Sequence, residues 1–158
     1  MSDTRKTVTL FIYLSKAKKV LLSRRGKLEK FPGLIQATVH GQIEPGEISQ
    51  IAMKREFEEE VKGDFHQLTK LADLGEADVG ENKHEHTYYH AAVMQDEFAK
   101  ALQPTQEVSE IIQISEGDIS KIQAFSKVKN QEEYDYQGNM VMFDDELKVL
   151  SKVFKEFS

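Results

Sequence analysis

The 158-residue chain contains no cysteine, which excludes disulfides, thiolate zinc sites and a cysteine nucleophile. Long apolar runs are also missing: the longest, VTLFIYL at 8–14, is far short of the roughly 20 residues that a membrane helix needs. No signal-peptide pattern opens the chain, and these features together predict a cytoplasmic protein with no membrane partner. Nor is there an excess of positive charge. A formal net charge of −6 argues against broad binding to a nucleic-acid backbone, which needs clustered Lys and Arg. An anionic substrate is still compatible if a metal ion carries the positive charge. Pro and Gly are few and scattered, with no repeat or low-complexity linker. The length suits a single domain over 1–158 with a real core.

Turning to what is present, TVTLFIYL at 7–14 and VLLSRR at 20–25 are rich in β-branched and apolar residues and predict a hairpin. A Pro32-Gly33 turn then leads to a strand-like LIQATVH at 34–40. After the Pro45-Gly46 turn a helix is expected from about Ile48 to Val61, with Gly63 marking its end. Further strands are expected over 67–79, 84–93 and 107–115, the first two joined by a turn at 80–82. Ser115 and Asp118 predict the cap of a short helix over 117–125. A final helix over 143–158 would bury Leu147, Leu150, Phe154 and Phe157, while 126–142 shows no period and is expected to be loop. The order predicts a mixed sheet with helices packed on it.

The central helix carries a charge problem. At about 100° per residue, with Glu56 at zero, Glu59 falls near 300° and Glu60 near 40°, so three carboxylates share a narrow face. Ile48 and Ala52 on one side and Met53 and Phe57 on the other are expected to flank it with buried contacts, whereas Glu58 points to solvent. Ordinary glutamate-rich surface helices place Lys or Arg four residues on, but here those positions hold Glu60, Gly63 and Asp64. Only Arg55, four residues before Glu59, is well placed. A divalent cation with hard oxygen ligands would relieve the repulsion.

Gly41, Glu47, Arg55, Glu56, Phe57, Glu59 and Glu60 reproduce the spacing G-x5-E-x7-R-E-U-x-E-E, where U is bulky and apolar, and this stretch resembles the box of the Nudix hydrolases. The pattern departs at Lys62, which occupies the family's last glycine position, with Gly63 one place later. The resemblance implies an α/β fold, an α/β/α sandwich with a mixed central sheet and a catalytic loop-helix motif. It implies Mg²⁺, with Mn²⁺ as a substitute, held by Glu56, Glu59, Glu60 and the carbonyl of His40. Gly41, Glu47 and Arg55 would support the site, and Glu59 or Glu56 would act as catalytic base. The expected substrate is a small nucleotide or other diphosphate: a nucleoside triphosphate, a nucleotide sugar or similar. Isomerases that look similar around the box rely on a catalytic cysteine, which this chain lacks. The alternative is a catalytically weak Nudix-like nucleotide-binding or regulatory module. Such modules would be expected to lose box carboxylates, and all are present.

Outside the box, Glu107 and Glu110 are candidates for a remote base or metal ligand, set against ordinary edge-strand charge. Arg24 and Arg25 are candidate phosphate contacts, because guanidinium suits bidentate binding, set against a common surface pair. A basic patch of RKT and SRRGK could engage an RNA 5′ end, the one nucleic-acid partner kept in view. His84, His86 and His90 with Tyr88 share a strand face by their even spacing, and a polar face or cleft lining is favoured there over a zinc site.

Overall fold

The computed structural model describes residues 4–158. Its elements run β1 (Arg5–Leu14), β2 (Lys19–Arg25), β3 (Ile35–Ala37), β4 (Val39–Gln42), α1 (Ser49–Val61), β5 (Leu68–Val79), β6 (Glu85–Met94), α2 (Asp96–Ala99), β7 (Val108–Ser115), β8 (Gln123–Ala124), β9 (Val141–Met142) and α3 (Asp144–Phe157). Among the described residues no helix is long and apolar enough to cross a membrane.

The strands form one mixed sheet in the order β5-β6-β1-β2-β3-β9-β8, with β4 added to β1 and β7 to β2. β6 runs parallel to β1 along its whole length. The other edge of β1 is divided: Ile12–Leu14 pair with β2, and Thr7–Leu10 pair with β4. β1 and β2 therefore splay like a fork, and the ribbon of β3 and β4 passes between the tines. Thr38, the residue between β3 and β4, plugs the fork. Its Oγ1 accepts from the Ile12 N–H at 2.9 Å and donates to the Leu21 carbonyl at 2.5 Å, and its own carbonyl accepts from Ser23 Oγ at 2.7 Å. These are the backbone groups that diverging strands leave without ladder partners, and buried groups of that kind require them. The strand expected over 34–40 is broken here for that reason.

Alternation of side chains along the strands gives two cores. One face packs Val8, Leu10, Ile12, Leu14, Leu21, Val39, Ala92 and Met94 against Ala52, Met53, Phe57 and Val61 of α1. The other packs Phe11, Tyr13, Val20, Leu22, Ile35, Tyr89, Ala91 and Val93 against Val149, Leu150, Val153 and Phe154 of α3. The result is the expected α/β/α sandwich.

Four expectations change. The stripe of α3 centres on Val149, Leu150, Val153 and Phe154, with Leu147 and Phe157 only partly covered. Ile48, expected to be a buried border of the acidic face, is 63% exposed as the N-cap of α1. The helix expected over 117–125 is a 3₁₀ turn at Glu116–Lys121 with the Ser115–Asp118 capping box intact, followed by β8. Residues 126–142 do not run as plain loop: they contribute Val128, Tyr134, Tyr136 and Val141 to a small core with Phe31, Leu34, Phe125 and Phe143, and they supply β9.

Candidate active site

The turn after β4 delivers the chain into α1, and Gly41 sits where the two meet. A Cβ on Gly41 would lie 2.1 Å from Glu56 Cδ, so the position must be glycine for the Glu56 side chain to pass against the backbone. Arg55 braces the turn. Its Nε and Nη2 donate to the two Glu47 oxygens at 2.9 Å each, Nη2 also donates to the Gln42 carbonyl at 2.9 Å, and Nη1 donates to Glu56 Oε1 at 2.8 Å. Paired in this way, Glu47 is held down to about 2, mainly by the Arg55 hydrogen bonds and then by the Glu44 N–H. The same contacts raise Arg55. The brace fixes both ends of the turn and orients Glu56.

Glu60, one turn beyond Glu56, is only 3% exposed, and its Oε2 has no hydrogen-bond partner among the described residues. Burial, then the Glu56 carboxyl, then Glu107 push its pKa well above the usual carboxylate range, against a backbone N–H of His40 that faces it. An unpartnered buried carboxylate oxygen is costly. Ligand oxygens of Glu56, Glu60 and Glu107 all lie within 4.8 Å of one another. Three carboxylates, one of them buried and carrying an unpartnered oxygen, fit a hard divalent cation.

Glu107 reaches this place through tertiary bonds that no local pattern announces. The Gln103 N–H donates to the Val61 carbonyl at 2.9 Å, Thr105 Oγ1 donates to the Glu60 carbonyl at 2.8 Å, and the Gly26 N–H donates to the Glu107 carbonyl at 2.9 Å. A Cβ on Gly26 would lie 2.0 Å from the Gln106 carbonyl oxygen, so glycine there permits the docking. Burial, then Glu56, Glu29 and Glu59, raise the Glu107 pKa. Glu110, the other remote candidate, lies within β7 opposite Arg24 and bonds its Nε at 3.0 Å, outside the triplet.

The three box glutamates do not converge as one group. Glu59 is 61% exposed at its side chain and reaches only Arg55 Nη1, at 3.4 Å. Its place in the inward set is taken by Glu107.

Of the two arginines, Arg24 is committed to the fold. Its Nη1 donates to the carbonyls of Gly33, Tyr136 and Asn139 at 2.9–3.1 Å, tying the Pro-Gly turn to the 126–142 segment. Arg25 donates from Nε to the Lys30 carbonyl and from Nη1 to Gln36, and burial lowers its pKa. The charged groups that act on it are Glu29, Glu146 and Glu85, with Arg5 opposing them, and no member of the carboxylate triplet is among them.

The histidines separate. His86 is held between Asp78 at 2.7 Å and Glu76 at 3.1 Å, His90 pairs with Ser49 at 3.3 Å, and His84 precedes β6. The carboxylate triplet of Glu56, Glu60 and Glu107 includes none of them.

The family model for the NUDIX domain matches residues 3–135. A search of the curated proteins returned no match. Among solved structures, the chain is similar to the NUDIX domain of Shewanella oneidensis NrtR complexed with ADP ribose (16% identity, 97% of this chain and 88% of that one, TM-score 0.66). It is also similar to a NUDIX-family hydrolase from Clostridium perfringens (15% identity, all of both chains, TM-score 0.60). A third is the E. coli dihydroneopterin triphosphate pyrophosphohydrolase (22% identity, 70% of this chain and 80% of that one, TM-score 0.56). At these identities the structural likeness speaks for the fold.

Proposed function

The chain belongs to the Nudix family, hydrolases of pyrophosphate bonds, and on that premise we propose that it is a Mg²⁺-dependent enzyme cleaving a nucleoside diphosphate linked to another moiety, such as a nucleoside triphosphate or nucleotide sugar. The observation that carries this reading is the triplet of Glu56, Glu60 and Glu107, together with the unpartnered Glu60 Oε2. These residues would hold the cation, with the His40 carbonyl as a further ligand on the family resemblance, and Mn²⁺ would substitute. When bound, the cation supplies positive charge against the diphosphate oxygens and acidifies a water.

The chain's own residues do the rest. Glu59, outside the triplet and open to solvent, takes the proton of the attacking water on its carboxylate. Glu47 and Arg55 keep Glu56 in place. Arg25 is the candidate contact for a substrate phosphate, as guanidinium suits anionic oxygens. The intact set of box carboxylates favours turnover over a binding module that has lost it.

The test is release of phosphate or pyrophosphate from a panel of nucleoside triphosphates, nucleotide sugars, ADP-ribose and dinucleoside polyphosphates with Mg²⁺. Glu59→Gln should lower kcat by about 10²-fold or more while Mn²⁺ still binds. Glu60→Gln should lose both turnover and Mn²⁺ binding. Metal-independent turnover, or Mn²⁺ binding unchanged in Glu60→Gln, would overturn the assignment.

A further inference from the structure

Across the sheet from α1, buried polar side chains gather around His40. Its Nδ1 is 2.9 Å from Thr9 Oγ1 and its Nε2 is 3.2 Å from Glu85 Oε2. Both partners are themselves held: Thr9 by Thr87 Oγ1 at 2.9 Å, and Glu85 by Thr7 Oγ1 at 3.0 Å and Arg5 Nη2 at 2.9 Å. Thr7, Thr9 and Thr87 are fully or almost fully buried. So many buried polar groups on an otherwise apolar sheet face are expensive to keep unless something depends on them.

What depends on them is the strand that carries His40. β4 is laddered on one edge only, to β1, and it ends at the turn into α1. Its backbone at His40 and Gly41 bears on two carboxylates of the proposed site. The His40 N–H faces Glu60, and Gly41 lies so close to Glu56 that no Cβ would fit between them. A small displacement of this backbone would move both ligands.

We infer that Thr9 and Glu85 clamp the His40 imidazole and thereby set the backbone of residues 40 and 41 against Glu56 and Glu60, which makes His40 and Glu85 positioning residues for the cation site from the opposite face of the sheet. The clamp supplies the second anchor, to β6, that the one-sided ladder of β4 lacks. This inference rests on the metal reading above.

The experiment measures Mn²⁺ affinity from the electron paramagnetic resonance signal of free Mn²⁺, well below each protein's Tm. His40→Ala and Glu85→Ala should each weaken Mn²⁺ binding about 10-fold or more, in the range seen when groups that support metal ligands are removed. The double variant should be little worse than the weaker single, because both act through one clamp. Tyr89→Phe, which removes a 2.5 Å bond to Asp145 on the same face, serves as control: its Tm falls while its Mn²⁺ affinity stays as in the wild type. Should His40→Ala not fold, Glu85→Ala carries the test. Mn²⁺ affinity within twofold of wild type in folded Glu85→Ala, while Glu60→Gln loses binding, would overturn the clamp and leave the metal site standing. A wild-type protein that binds no Mn²⁺ would overturn both.

Discussion

At Lys62 the backbone is left-handed (φ 58°, ψ 35°), and the N–H groups of Lys62 and Gly63 both donate to the Phe57 carbonyl to close α1. A residue with a Cβ is disfavoured in that conformation by about 1 kcal/mol. The following Gly63 does not serve as a displaced version of the missing glycine: a Cβ there would lie 2.2 Å from the Phe57 ring, so it is glycine for packing. The two positions should answer substitution in opposite ways. Lys62→Gly should stabilise the protein by about 1 kcal/mol. Gly63→Ala should destabilise it by about 1–3 kcal/mol, since Phe57 is fully buried and cannot give way. Urea midpoints of the two variants check this, and equal shifts in one direction would contradict the roles assigned.

Among the elements, the fork between β1 and β2 decides where the turn before α1 emerges, and Thr38 holds it. Thr38→Val keeps the shape but leaves the Ile12 N–H and Leu21 carbonyl without partners, which should cost about 2–4 kcal/mol. Thr38→Ser should recover most of that, as read by thermal unfolding. This fork marks the limit of what local sequence conveys. Alternation in 7–14 and 84–93 and the spacing of Glu56, Phe57 and Glu60 act through neighbours along one element, so β1, β6, α1 and the inward pair Glu56 and Glu60 are legible. The break at Thr38 exists only because two other strands diverge around it. Glu107 is placed by bonds from Gly26, Thr105 and Gln103, each to a distant segment. The aromatic core of Phe31, Phe125, Tyr134, Tyr136 and Phe143 draws on pieces far apart in the chain, and so 126–142 carries no period. His40 and Glu85 were visible as residues, while their pairing depends on β1, β4 and β6 lying side by side.

For the whole molecule, stability should respond to pH through a carboxyl buried beneath α3. Glu146 enters the α3 face almost completely buried and accepts the Ala37 N–H at 2.6 Å. Burial is the main cause that pushes its pKa from 4.5 up to about 7, helped by Asp145 and opposed by His40 and Arg25. A carboxyl with a raised folded pKa is bound to its proton in the folded state while the unfolded chain has released it. Its contribution is therefore complete below about pH 4.5 and is lost as pH rises through 7. The difference corresponds to about 3 kcal/mol. Glu146→Gln keeps the acceptor for Ala37 and removes the proton, so its unfolding temperature should exceed that of the wild type at pH 8 by roughly 5–10 °C. At pH 5 the two proteins should nearly coincide, because both then carry a neutral group at this position. Melting curves collected from pH 5 to 8 test it: parallel curves for variant and wild type would mean that Glu146 is ionised within the fold, and that the Ala37 N–H and its cationic neighbours outweigh burial.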